Sequence, residues 1–153
     1  LYGGAGGNDM LIGGAGNDLL LVGEKTAPQA AILDVDGNYH VHDDLIGNAG
    51  ADQFVFVAPP KDVWATLKTI YDVKVHDFNR AEGDRIVAVG FDKENFDIKI
   101  DDPVVKDPAT HQSEQTVHFM NNNVDVYTVH FDLSFAREFD SNFTLRMADF
   151  DKL

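Results

Sequence analysis

The chain has no cysteine, which excludes disulfide bonds and thiolate metal sites. It is poor in positive charge: 12 Lys and Arg stand against 26 Asp and Glu, for a net charge of −14. That balance speaks against nucleic acid and anionic lipid as partners and in favour of cations, or simply of solubility. No apolar run approaches the roughly 18 residues that a membrane-spanning helix needs. No signal peptide opens the chain. Leu1 is not a natural start, so a piece of something longer is expected. Neither H-E-x-x-H nor G-x-S-x-G occurs, and no other acid–base or nucleophile constellation is evident, so no catalytic residues are expected. A secreted domain without disulfides needs another staple, and a bound metal is the usual one.

What the chain has in abundance is glycine, concentrated at one end. Its 153 residues suit one domain or two small ones, and with 44% hydrophobic residues and 11 Phe there is enough for a core. Near the start, Gly4-Ala5-Gly6-Gly7-Asn8-Asp9-Met10-Leu11-Ile12 lies over Gly13-Gly14-Ala15-Gly16-Asn17-Asp18-Leu19-Leu20-Leu21 when the sequence is shifted by nine. Asp falls on Asp and Leu on Leu. Gly47-Asn48-Ala49-Gly50-Ala51-Asp52-Gln53-Phe54-Val55 is a third copy. Asn38 to Ile46 keeps Asp43 and Leu45 but has lost its glycines. A flexible linker does not hold Asp and Leu at constant phase. Six residues of Gly, Ala and Asn make a turn that tolerates positive φ, and three with an apolar centre make a short strand.

This nonapeptide resembles the calcium-binding repeat of RTX (repeats-in-toxin) proteins. The resemblance implies a short parallel β-roll with inward leucines, in which uncovered turn carbonyls and stacked aspartates hold Ca2+. One repeat is half a coil, so stacked turns should lie two repeats apart: Asp18 over Asp52, and Asp9 over Asp43. The expected ligands are Gly4, Gly6, Asp9, Gly13, Ala15, Asp18, Asp43, Gly47, Ala49 and Asp52. Residues 22–37 break the period and are expected to form an inserted loop. "VKVHDFNRAEGDRIVAVGF" (Val73 to Phe91) and "NFTLRMADF" (Asn142 to Phe150) are similar to stretches following the roll in serralysin-type proteases and in the R-modules of mannuronan C5-epimerases. By the same resemblance, Asp77 and Asp84 could frame a further calcium site; a solvated turn is the alternative. The implied setting is a bacterial protein exported by type I secretion machinery, folding outside the cell. A polysaccharide such as alginate is a further candidate partner, and a terminal adhesin domain another reading. The roll has Lys25 in its insertion and no arginine, unlike alginate-binding R-modules.

From Ala58 the pattern changes. Residues Ile70 to His76, Phe96 to Ile100 and Val124 to Phe131 alternate polar with apolar, which predicts half-buried strands. "FMNNNVDV" (Phe119 to Val126) reads as a hairpin whose asparagines take the left-handed region. Short helical turns are expected at Asp62 to Lys68 and Leu133 to Glu138. The resulting expectation is an all-β chain: residues 1–57 as the roll and 58–153 as an antiparallel β cap sealing its open end. Other candidates carry two readings each. His40-x-His42-Asp43 is either a transition-metal pair or a degenerate turn with exposed histidines. Asp34-x-Asp36-Gly37 hints at a calcium loop, but its Gly comes too early for an EF-hand. Trp64 with Tyr71 is either a sugar platform or packing. His76, His111, His118 and His130 fall in or near strands, where packed or exposed polar residues are the default.

Overall fold

A computed structural model describes residues 1–3, 8–23, 32–33, 39–58, 69–91, 94–134 and 145–152. Gly4, Gly6, Asp34, Asp36, Trp64, the expected helical turn at 62–68 and most of the inserted loop lie outside these residues. The chain is all-β, as expected. Three Asp-x-apolar units start a strand, β1 (Met10–Ala15) after Asp9, β2 (Leu19–Val22) after Asp18 and β5 (Gln53–Val57) after Asp52, and the fourth, Asp43-Asp44-Leu45, lies inside β4 (Tyr39–Ala49). Between β2 and β4, β3 (Ile32–Leu33) turns back to pair antiparallel with Tyr39 and His40, so part of the insertion is folded.

Successive strands alternate between two sheets and stack in parallel. β1 pairs with β4, and β4 with β6 (Thr69–Val75), in one sheet; β2 pairs with β5, and β5 with β7 (Arg85–Val89), in the other. The two registers align the apolar positions into columns. Leu11, Leu45, Val75 and Phe131 form one, and Leu20, Phe54, Ile86 and Phe150 the other. All eight are buried. A coil of such short strands is sustained only if its inward apolar residues recur in register, because burial of aliphatic and aromatic surface is what offsets chain ordering.

The parallel pairing does not end at residue 57. β6 and β7 continue it, and the change to antiparallel pairing comes after Val89. There β8 (Phe96–Ile100) and β9 (Val104–Asp107) pair antiparallel with β10 (Gln112–Asn121), which pairs antiparallel with β11 (Val124–Ser134). β11 then runs parallel to β6, and β12 (Phe150–Lys152) parallel to β7. The C-terminal part therefore adds a rung to both sheets, and the expected boundary at 57/58 cuts through one continuous hydrogen-bonded stack. Leu133 and Ser134 lie in strand β11, and the rest of the helical turn expected at 133–138 falls outside the described residues; Met147–Asp149 form a 3-10 turn before β12 begins at Phe150. The hairpin at 121–124 is as expected, with Asn122 and Asn123 at φ 53° and 61°.

The core lies between the sheets. It grades from aliphatic at β1 and β2 to aromatic where the parallel rungs meet the antiparallel strands. Phe56 packs edge-on against Phe119 (5.1 Å between ring centres) and Tyr127 (5.5 Å), and Phe78 against Phe131 (5.9 Å). Tyr127 donates its hydroxyl to the Val57 carbonyl at 2.7 Å, and burial pushes that phenol well above its ordinary pKa.

Candidate metal centre

Alternation between sheets brings the glycine turns into two stacks. The better described one holds residues 13–18 (β1 to β2), 47–52 (β4 to β5) and 77–84 (β6 to β7). Each turn is built so that its last residue, an aspartate, folds back beneath its first. A side chain at Gly13 would sit 2.8 Å from both Asp18 Oδ2 and the Gly47 carbonyl, and one at Gly47 would overlap Asp52 Oδ2. Gly50, at φ 138°, approaches the Gly16 carbonyl so closely that any side chain would collide with it. These glycines leave room for carboxylate and carbonyl oxygens between successive turns.

The stacked aspartates are ordered by hydrogen bonds that run one way. Asp18 N–H donates to Asp52 Oδ1 (2.8 Å), and Asp52 N–H donates to Asp84 Oδ1 (2.9 Å). Asn17 joins in by accepting the Ala51 N–H at 3.0 Å. The Gly16 N–H donates to the Ala49 carbonyl at 2.9 Å, and Ala15 pairs with Ala49. After these bonds, Asp18 Oδ2 and Asp52 Oδ2 are buried with no hydrogen-bond partner. Two such oxygens in neighbouring turns are costly, since a buried acceptor left unsatisfied loses roughly 1–3 kcal/mol and a charged one more.

Asp84 and Asp77 differ from them. Asp84 accepts from Asp52 N–H with one oxygen and from Asn79 N–H (2.8 Å) with the other. Burial raises its pKa above the ordinary carboxylate value. Asp77 accepts from Gly47 N–H (2.9 Å) and Asn48 N–H (2.6 Å). Both carboxylates of the third turn therefore close the stack against backbone amides.

On the opposite corner, Asp9 stacks on Asp43: Asp9 N–H donates to Asp43 Oδ1 at 3.0 Å, and Asp44 N–H to the Asp9 carbonyl at 2.8 Å. Burial, reinforced by the neighbouring Asp9 charge, lifts the Asp43 pKa to about 6. Both expected pairings, Asp18 with Asp52 and Asp9 with Asp43, are thus juxtaposed.

The residues present fit a hard divalent cation. The unsatisfied groups are oxygens, each stacked pair supplies two carboxylates, and turn carbonyls lie alongside, which is the donor set Ca2+ takes. Among the described residues no group of three or more His, Asp or Glu is arranged to hold a metal by itself, so backbone carbonyls would complete the set. No described helix is long and apolar enough to cross a membrane.

Sequence reading missed a second polar array. His42, Asp72, Lys74, His76, Glu114, His118, His130 and Asp132 face outward on β4, β6, β10 and β11, and they form ion pairs from strand to strand. His42 lies 3.3 Å from Asp72 on the neighbouring strand, while the His40 side chain lies outside the described residues. The available signal was the period-two placement of these residues on strands that become neighbours only in the folded sheet. No family model, no curated protein and no solved structure matches this chain.

Proposed function

We propose that this chain is a non-catalytic, calcium-binding module of the RTX type, its parallel coils forming a short β-roll that folds on calcium binding outside a bacterial cell after type I export. The observation that carries the reading is the pair of buried, unpartnered oxygens, Asp18 Oδ2 and Asp52 Oδ2, in turns whose glycines leave space for oxygen ligands. Asp18, Asp52 and the Gly47 carbonyl would hold one cation, and Asp9 with Asp43 would contribute to another on the opposite corner. The cation supplies the positive charge that offsets carboxylate repulsion and desolvation. The chain supplies the rest: glycines leave the room, the Leu11 and Leu20 columns hold the turns in register, and Asp84 and Asp77 cap the stack with backbone hydrogen bonds. With little calcium, a chain of net charge −14 repels itself and stays open; with millimolar calcium, binding energy becomes folding energy.

The test is circular dichroism and thermal melting in excess chelator, followed by a calcium titration. Strand signal that grows with calcium, and a melting temperature that rises with it, is the expected result. A spectrum and melting temperature indifferent to chelator would overturn the reading. A polysaccharide-binding role is not favoured by any specific contact, and an acidic face suits polyanions such as alginate poorly.

A further inference from the structure

The bulge between Phe119 and Met120 shifts the β10–β11 register, so that Met120 stands opposite Asp125 and His118 opposite Thr128. The shift leaves Asp125 beside the His118 ring, with Asp125 Oδ2 3.2 Å from Nδ1. On the other side, the chain leaving β8 brings Asp101 Oδ2 to 3.0 Å from Nε2. The His118 side chain is only 19% exposed. A neutral imidazole has one N–H; only the imidazolium can donate from both nitrogens at once. Among the described residues, the charged groups brought to this ring are Asp125 from β11, Asp101 from the segment after β8, and Lys99 of β8, which pairs with His118 in register and reaches Asp101 at 3.1 Å.

We propose that His118 is a proton-held clasp: as the imidazolium, bridging Asp101 and Asp125, it locks β8 and the following segment onto the β10–β11 hairpin, and its deprotonation loosens that edge of the sheet. Two carboxylates facing a neutral ring would leave one of them opposite a lone pair, which is repulsive. Consistent with a bound proton, the hydrogen bond from His118, aided by Lys99, holds the Asp101 carboxyl below its ordinary pKa.

His130 provides the internal contrast. Its Nε2 faces Asp72 at 3.1 Å, but its Nδ1 lies 3.1 Å from the Thr116 hydroxyl, which can donate or accept; Glu114 stands farther off at 3.5 Å, and Lys74 pairs with His130 from β6. His130 thus makes one hydrogen bond, to a hydroxyl that can donate or accept, since Asp72 Oδ1 is left without a hydrogen-bond partner, whereas His118 meets a carboxylate at each ring nitrogen. The folded state that retains the His118 proton is favoured on the acid side of the imidazole range and loses that advantage as pH rises through it.

The test is hydrogen exchange of the β8 and β10 amides at pH 6 and pH 8 in calcium-saturated buffer, corrected for intrinsic exchange, with 15N NMR of the imidazoles. In the wild type, protection of Ile98 to Ile100 should be about tenfold higher at pH 6 than at pH 8, and it should rise and fall together with the imidazolium 15N pattern of His118. His118→Gln and Asp125→Asn should each abolish that difference, while His130→Gln should preserve it. If His118→Gln does not fold, Asp125→Asn and the NMR signal decide alone, since Asn lets a neutral ring donate to Asp101 and accept from the amide. Protection that does not follow the His118 imidazole signals, or a pH difference unchanged in Asp125→Asn, would overturn the proposal. Neither outcome touches the calcium reading, which stands or falls on the chelator experiment.

Discussion

Asp52 and Asp84 have the same chemistry and stack on each other, yet their oxygens are spent differently. Asp52 gives Oδ1 to Asp18 N–H and leaves Oδ2 bare; Asp84 gives both oxygens to backbone amides. Substituting Asn keeps one carbonyl acceptor and removes the charge. Asp52→Asn, with its carbonyl in the Oδ1 place, should therefore leave folding at saturating calcium intact and weaken calcium binding by tenfold or more. Asp84→Asn must present an NH2 group to an N–H. It should cost roughly 1–3 kcal/mol of stability in urea unfolding even at saturating calcium. Calorimetric calcium titration and urea melts of both variants check this; equal effects on affinity would mean that Asp84 is a ligand rather than a cap.

At the scale of the element, β12 shows how a three-residue strand is held. Phe150 enters the short sheet's apolar column, and two arginines from the third turn and β7 reach across to it. Arg80 pairs with Asp149 through Nε and Nη2, and Arg85 pairs with Asp151. Burial opposes the charge on Asp149, but the Arg80 fork and the Arg146 amide outweigh it and hold that carboxyl below its ordinary value. Asp149 is buried, whereas both partners of the Arg85–Asp151 pair are substantially exposed. Asp149→Asn should thus cost about 2 kcal/mol or more, while Asp151→Asn should cost about 0.5 kcal/mol or less. The sign with pH follows. A depressed carboxylate contributes its stability above its unfolded value and loses it as pH falls through the folded one. The stability of the wild type should therefore drop below about pH 4 more steeply than that of Asp149→Asn, measured by denaturant midpoints across that range.

The whole molecule is a stack of acidic turns clasped by apolar columns, and its response to pH should depend on calcium. Without metal, burial holds the Asp43 pKa at about 6 and raises that of Asp84. A carboxyl whose folded value is raised costs stability when ionised. In chelator, any folded population should become more stable as pH falls from 7 toward 5. On the proposed calcium reading the ionised carboxylates are the binding form, so with saturating calcium the same acidification should lower the melting temperature by competing for them. The His118 clasp adds a contribution of the first sign, so the Asp43 part is read by comparing Asp43→Asn with wild type in the His118→Gln background. Identical pH slopes with and without calcium would show that no cation is held by these turns.

Much of the molecule was legible from residue types and spacing. The Asp-x-apolar units at 9–11, 18–20, 43–45 and 52–54 announced strands, because each pairs a turn-closing carboxylate with one inward side chain. The half-coil argument places Asp18 on Asp52 and Asp9 on Asp43 from the spacing of the repeats alone. The asparagines at 122 and 123 announced their turn, since few other side chains tolerate positive φ. Even Asp84-Arg85-Ile86 carries the same unit, though with Gly83 the one glycine left in its turn the repeat is concealed. What only tertiary structure decided is where strands with no repeat would join. β11 and β12 complete the two sheets because Phe131 and Phe150 fit the ends of the apolar columns, and long-range pairing of that kind is set by packing rather than by local pattern. Tertiary structure also decided which carboxylates are capped and which are left bare, and it made neighbours of His118, Asp101 and Asp125. Hydrogen-bond satisfaction depends on atoms from distant strands meeting within about 3 Å, and no local pattern in the chain encodes that.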